Sequence, residues 1–282
     1  MGGENGFAGK HALVVGGSGG IGKAVALGLA RMGALVTITG GRSAERLEKT
    51  LAALNAVPDA PCNGGVCPQT GPAGDGLPEK PSNTGPGRQV PGHSGFLCKI
   101  GGSGGLQPEG AAAYILKNAP PPDILVISWG PFDKIALQDT TAENWRFYVE
   151  SNLIFPGIMV SLALPPMKSK GWGRILLFGG TNTGEIRGFL DNPAYGAAKT
   201  ALGSLAKSVA KNAGKAGVIC NVICPGLTAT EYTEPSELAW YAKKSPGGKV
   251  EDADGVAGIA LAVLGDAKTN GAIIPADGGL WV

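Results

Sequence analysis

Two residues four apart carry the strongest chemical signal in this chain: Tyr195 and Lys199 in "AYGAAK", at the opening of a helical pattern. At that spacing both side chains lie on one helix face. An ammonium beside a phenol lowers the phenol's pKa, so the tyrosine can give or take a proton near neutral pH. A second signal lies far upstream in "LVVGGSGGIG", residues 13–22, where Gly16, Gly20 and Gly22 follow a β-rich run and lead into a helical one. Glycines there allow a tight turn, and they let a pyrophosphate approach the free N–H groups of a helix N-terminus. Ser18 and Ile21 add hydroxyl or backbone contacts. Each signal has an ordinary reading on its own: a solvated helix pair, or a turn needing glycine for space. Found together, and in this order, they point to a bound dinucleotide beside a proton-transferring tyrosine.

The second β-rich run narrows the dinucleotide. It ends "TITGGRSAE", with no acidic residue from Lys23 until Glu45. An acid about 20 residues beyond the glycines normally holds the ribose 2′-hydroxyl of NAD. Arg42 stands instead where a 2′-phosphate would sit, with Ser43 beside it. A guanidinium presents a planar fork of donors suited to phosphate. NADP is therefore the expected cofactor.

The elements that must position these residues alternate. Short apolar runs ("HALVVG", "LVTITG", "FLCKI" at 96–100, "DILVIS", "RILLFG", "VICNVIC", "GAIIPA") are separated by helical stretches, among them an unbroken one over 142–167. Continuous apolar strands suit a sheet covered on both faces, so the pattern predicts an α/β fold, a Rossmann-type doubly wound parallel sheet of about seven strands. Residues 1–282 read as a single domain, broken by a Gly/Pro-rich insertion at 57–95 that shows no period. Cys62 and Cys67 within the insertion have only His93 nearby, too few ligands for a metal, and no metal is expected.

Bulk properties exclude several classes. The formal net charge is +2 and the cations are scattered, which leaves no footprint for nucleic acid or an anionic membrane. Five cysteines show no disulfide framework, and the first residues lack the apolar core of a signal peptide, so a cytoplasmic protein is expected.

With these motifs in hand, the chain resembles the short-chain dehydrogenase/reductase family, in its 3-oxoacyl-carrier-protein reductase-like branch. "GGSGGIG" resembles the family's cofactor loop, "AYGAAK" its Tyr–Lys motif, "CPGLTAT" its Pro–Gly turn, "ENWRFYVESNL" its asparagine helix and "IIPADGG" its last strand. The resemblance implies hydride transfer between NADPH and a small carbonyl or alcohol substrate, with Tyr195 as proton donor or acceptor. Lys199 would bond the nicotinamide ribose, and Asn152 would complete a proton relay through water. Ser128, Gly130, Pro225, Gly226, Leu227 and Thr230 would border the cofactor. It also implies a homodimer or homotetramer built on the helices near Asn144 and Tyr195. The segment after "CPGLTAT", with Tyr232, Leu238, Trp240 and Tyr241, would close over the substrate.

Two departures stand out. The family's Asn-Asn-Ala-Gly reads "ISWG", residues 127–130, and its carbonyl-orienting serine is missing from "GGTNTG". Counting from two family landmarks gives either Thr181 or Asn182 as the replacement; Thr181, with its hydroxyl, is preferred. The competing expectation is a catalytically silent NADP-binding sensor or interaction protein on the same fold.

Overall fold

The computed structural model describes residues 6–41, 43–58 and 92–280. The seven apolar runs form one sheet from β1 (His11–Val15), β2 (Leu35–Gly40), β3 (Ser94–Leu97), β4 (Ile124–Ile127), β5 (Gly173–Phe178), β6 (Val218–Pro225) and β9 (Ile273–Ala276). Two further strands, β7 (Thr228–Ala229) and β8 (Glu251–Asp252), pair only with each other. The order in the main sheet is β3-β2-β1-β4-β5-β6-β9, every pair parallel.

Strand side chains alternate between two cores, as a period of two requires. Leu13, Val15, Leu125, Ile127, Ile175 and Leu177 pack in one apolar cluster. Their neighbours Ala12, Val14, Ile124, Val126 and Leu176 pack in the other. The first face is covered by α3 (Pro108–Asn118), α5 (Phe155–Lys170) and α6 (Pro193–Ala213). The second is covered by α1 (Gly20–Arg31), α2 (Ala44–Asn55) and α8 (Ala253–Gly265). A short α7 (Pro235–Lys244) lies between β7 and β8. Strand order reverses between β1 and β4, and in such sheets a ligand crevice opens beyond the strands' carboxyl ends at that point.

Two elements differ from the sequence expectation. β3 starts at Ser94 and ends at Leu97 rather than spanning 96–100. Cys98 still donates to Gly40 O at 2.8 Å, but Gly101, Gly102 and Gly104, all at positive φ, turn the chain away. The helix expected over 142–167 is also interrupted: α4 (Ala142–Val149) passes through a π turn (Glu150–Ile154) into α5. Thr141 and Asn144 form a reciprocal capping box at the start of α4. The span Ala142–Lys170 is long and apolar enough to cross a membrane by length and composition; here α4 packs on α6, and α5 packs on α3 and the sheet. Most of the expected insertion, residues 59–91 with Cys62 and Cys67, lies outside the described residues.

Candidate active site

The β1–α1 turn shows why its glycines are required. Gly16 and Gly20 adopt φ of 85° and 51°, which side-chain-bearing residues rarely hold. A Cβ on Gly16 would stand 2.8 Å from the Trp129 backbone nitrogen, and one on Gly22 would collide with Gly16 O and Ser128 Oγ. Ser128 braces this turn, its hydroxyl lying 3.1 Å from Val15 O and 3.3 Å from Gly16 O. Gly19 at the start of α1 offers no side-chain cap and the first turn holds no acid, so its N–H groups and positive dipole end are left to partners from elsewhere.

That turn floors one end of a cavity of about 770 Å³. Gly16, Ser18, Gly20, Ile21, Gly22, Ser43, Ser128, Gly130, Thr181, Tyr195, Lys199, Pro225, Gly226, Leu227 and Thr230, all named from the sequence, line it. A volume of this size suits a dinucleotide with a small substrate. Arg42 lies outside the described residues. The Ser43 hydroxyl accepts from Arg46 N at 3.2 Å and so caps α2, while Arg46 and Lys99 bring cationic side chains to the cavity wall.

At the other end lie the proton-transfer candidates. Asn192, at φ 47°, caps α6: its Oδ1 accepts from Tyr195 N at 3.0 Å and its Nδ2 donates to Asp133 O at 3.0 Å. This fixes the first turn of α6 and aims Tyr195 at the cavity, where Phe132 meets the phenol ring edge-on at 5.0 Å. Burial, with the nearby Cys224, pushes the phenol well above its usual pKa. Lys199 is buried and donates to Phe178 O at 2.8 Å, with its Nζ 5.8 Å from the Tyr195 ring centre. Burial brings its pKa down to about 8. In this arrangement, therefore, burial outweighs the acidifying influence on the phenol expected from the Tyr–Lys spacing.

Asn152 sits in the π turn, fully buried behind Gly130 rather than on the cavity wall. Single π turns inside helices often mark functional positions. Its Nδ2 donates to Pro131 O and Tyr148 O, at 3.2 and 3.1 Å. Its Oδ1 is buried with no partner. A Cβ on Gly130 would collide with that Oδ1 and lie 2.7 Å from Lys199 Nζ, so the missing side chain lets the two groups converge.

The loop after β5 places the two candidate serine replacements differently. Thr181 lines the cavity, whereas Asn182 adopts φ 63° and is absent from the wall. Thr183 is buried, its hydroxyl bonded to Gly180 N and O at 2.8 and 2.9 Å. The position facing the phenol is Gly180: a Cβ there would lie 2.5 Å from the Tyr195 hydroxyl. Sequence counting missed Gly180 because it has no functional group. Phe132, Arg46, Lys99 and Glu231 were also missed, and only their folded positions bring them to this site. Trp129 packs edge-on against Phe155 at 5.7 Å while also bordering the cavity. In the segment expected over the substrate, Tyr232 borders the cavity above Gly19 and Gly20, whereas Leu238, Trp240 and Tyr241 are off the cavity wall.

Comparison with known proteins places the chain in a family. A family model described as "Enoyl-(Acyl carrier protein) reductase" matches residues 107–281, and one described as "short chain dehydrogenase" matches residues 10–62. The chain is 28% identical to a 3-oxoacyl-(acyl-carrier-protein) reductase of Pseudomonas aeruginosa, covering 97% of this chain and 98% of the relative. It is likewise 28% identical to a D-beta-hydroxybutyrate dehydrogenase of Cupriavidus necator, covering 97% and 98%. The match to a putative oxidoreductase of Bacillus subtilis, 30% identical, covers 57% of this chain and 66% of that protein. Among solved structures, a 3-oxoacyl (acyl-carrier-protein) reductase from Agrobacterium tumefaciens with NADP bound shares the fold at TM-score 0.76, with 24% identity and coverage of 98% and 96%.

Proposed function

Because the chain belongs to the short-chain dehydrogenase/reductase family, we propose that it is an NADP-dependent oxidoreductase acting on a small carbonyl or alcohol substrate. The carrying observation is one cavity with the glycine turn at one end and Tyr195 and Lys199 at the other. When bound, NADPH supplies a hydride to the carbonyl carbon. The N–H groups opening α1 and the glycine turn hold its phosphates. Arg46 and Lys99 on the cavity wall supply positive charge that favours a 2′-phosphate.

Tyr195 donates the proton to the carbonyl oxygen. Its raised pKa keeps the phenol protonated at neutral pH, which suits an acid in the reductive direction. Lys199 and the unpartnered Oδ1 of Asn152 flank Gly130, and a water held between them would return the proton. Thr181 offers a hydroxyl to polarise the carbonyl. The chain assembles as a homodimer or homotetramer, and the exposed Trp145, Ile154 and Leu162 along α4 and α5 support this reading.

A second reading, a catalytically silent NADP binder, is favoured by Gly180, which places no side chain beside the phenol. NADPH oxidation against ketones, quinones and 3-oxoacyl thioesters decides between the two. Turnover that falls about 10²–10⁴-fold in Tyr195→Phe, with NADPH binding retained, is the expected result. Tight NADPH binding with no turnover on any substrate would favour the silent binder.

A further inference from the structure

The N-terminus of α1 is engaged by the chain itself. Gly20 N–H donates to both carboxylate oxygens of Glu231, at 3.1 and 3.2 Å, across 211 residues of sequence. Tyr232 lies against the same turn, and a Cβ on Gly19 would collide with its phenol oxygen and with the Glu231 carboxylate. The phenol and the Glu231 carboxylate lie side by side over Gly19, and the ring sits under the Arg46 guanidinium, 4.9 Å from carbon to ring centre. The segment is braced from within: Thr233 donates to Thr228 O at 2.8 Å and meets Thr230 Oγ1 at 3.1 Å, while Tyr232 N donates to Thr230 Oγ1 at 3.3 Å.

A carboxylate on the free N–H groups of a helix start makes the same interaction as a phosphate oxygen. We infer that residues 230–233 form a latch whose Glu231 carboxylate occupies the phosphate seat of the dinucleotide and must leave before the cofactor can bind. The inference rests on the proposed reading of the glycine turn as a dinucleotide site. Glu231 and a pyrophosphate cannot both accept from Gly20 N–H, and two anions at one helix end repel. Tyr232 meanwhile stacks against the Arg46 guanidinium on the cavity wall. The apparent dissociation constant of the dinucleotide is then raised by the fraction of molecules that are latched.

The test is calorimetric titration of the full chain with NADPH and with NADH. Glu231→Ala is compared with Glu234→Ala, which removes the same charge from a residue that makes no side-chain cap on α7. The expected result is binding about ten-fold tighter in Glu231→Ala for both dinucleotides, and unchanged in Glu234→Ala. Stopped-flow binding should reach a plateau rate in the wild type, set by latch opening, and rise linearly with concentration in Glu231→Ala. Equal affinity in wild type and Glu231→Ala would overturn the latch while leaving the dinucleotide site standing. Equal tightening in both variants would reduce the effect to general charge and overturn it as well. No dinucleotide binding by any of the three proteins would remove the cofactor reading itself, and the latch with it.

Discussion

Lys199 and Gly180 set the chemistry around Tyr195 by opposite means, one through a buried charge and the other through a missing side chain. Burial holds the Lys199 ammonium at about 8. Its proton is present at neutral pH and leaves as the pH rises through that value. The proposed relay needs the charged form, so kcat/KM for reduction is expected to hold through neutrality and fall with an inflection near pH 8. A profile flat to pH 10 or so would show that this proton is not used. Gly180 leaves the space into which the phenol leans, because a Cβ would lie 2.5 Å from the hydroxyl and 2.9 Å from the ring. Gly180→Ala must therefore rotate the phenol away from its productive position. The expected outcome is a loss of about 10²-fold in kcat/KM, the scale of a misplacement near one ångström. Dinucleotide affinity, measured by titration, should change little. Unimpaired turnover in Gly180→Ala would show that the phenol tolerates displacement.

Helix α6 owes its aim to one residue at its start. Asn192 holds the left-handed φ of 47°, caps Tyr195 N, and ties the helix to Asp133. Asn192→Ala loses the cap, worth about 1 kcal/mol, and keeps a Cβ in the left-handed region without the local hydrogen bonding that lets asparagine tolerate it, a penalty of up to about 1–2 kcal/mol. Asn192→Gly relieves the second penalty but not the first. Chemical denaturation should rank the wild type above Gly and Gly above Ala, and kcat should fall in both variants because Tyr195 loses its anchor. The sequence makes α6 legible through Pro193 at its first turn and the "AYGAAK" face, yet nothing marks Asn192 as left-handed. The π turn at Asn152 is similarly hidden: the "ENWRFYVESNLIFPG" stretch shows no break in composition, and Pro156 lies beyond the turn. β3 was displaced in prediction because "FLCKI" is apolar beyond the point where the glycines of 101–104 turn the chain. Local apolar pattern could be read in advance; departures from regular geometry that depend on tertiary packing could not.

Across the whole molecule, the seven-stranded parallel sheet, the glycine turn and the Tyr–Lys pair could all be read from the sequence, because each is written in local pattern. What the sequence does not reveal is which polar groups meet across distant elements, as Glu231 meets Gly20 and as His11 meets its partners at the amino-terminal ends of the strands. His11 N donates to Asp123 Oδ2 at 3.0 Å, and its Nε2 lies 2.9 Å from Thr37 Oγ1, which is 2.8 Å from Ser94 Oγ. Lys170 closes the chain on Asp123 at 2.9 Å. These contacts join β1, β2, β3, the approach to β4 and the end of α5. Burial lowers the His11 pKa despite the pull of Asp123. For Asp123, burial acts upward, but the His11 N–H and the Lys170 ammonium prevail and lower it. The fold thus holds a neutral imidazole, while the unfolded chain takes up a proton at its ordinary value of about 6.5. Between that value and the lower folded one the unfolded state binds more protons, so stability falls as pH drops below 6.5. The Asp123 contribution is lost only further down, as pH falls through its folded value beneath 3.8. Thermal melts between pH 7 and pH 5 or so should therefore show a decline in Tm. His11→Gln, which keeps a side-chain donor for Thr37 but cannot ionise, should flatten that decline while leaving the loss at lower pH in place. An unchanged slope in His11→Gln would assign the acid sensitivity to groups other than the imidazole.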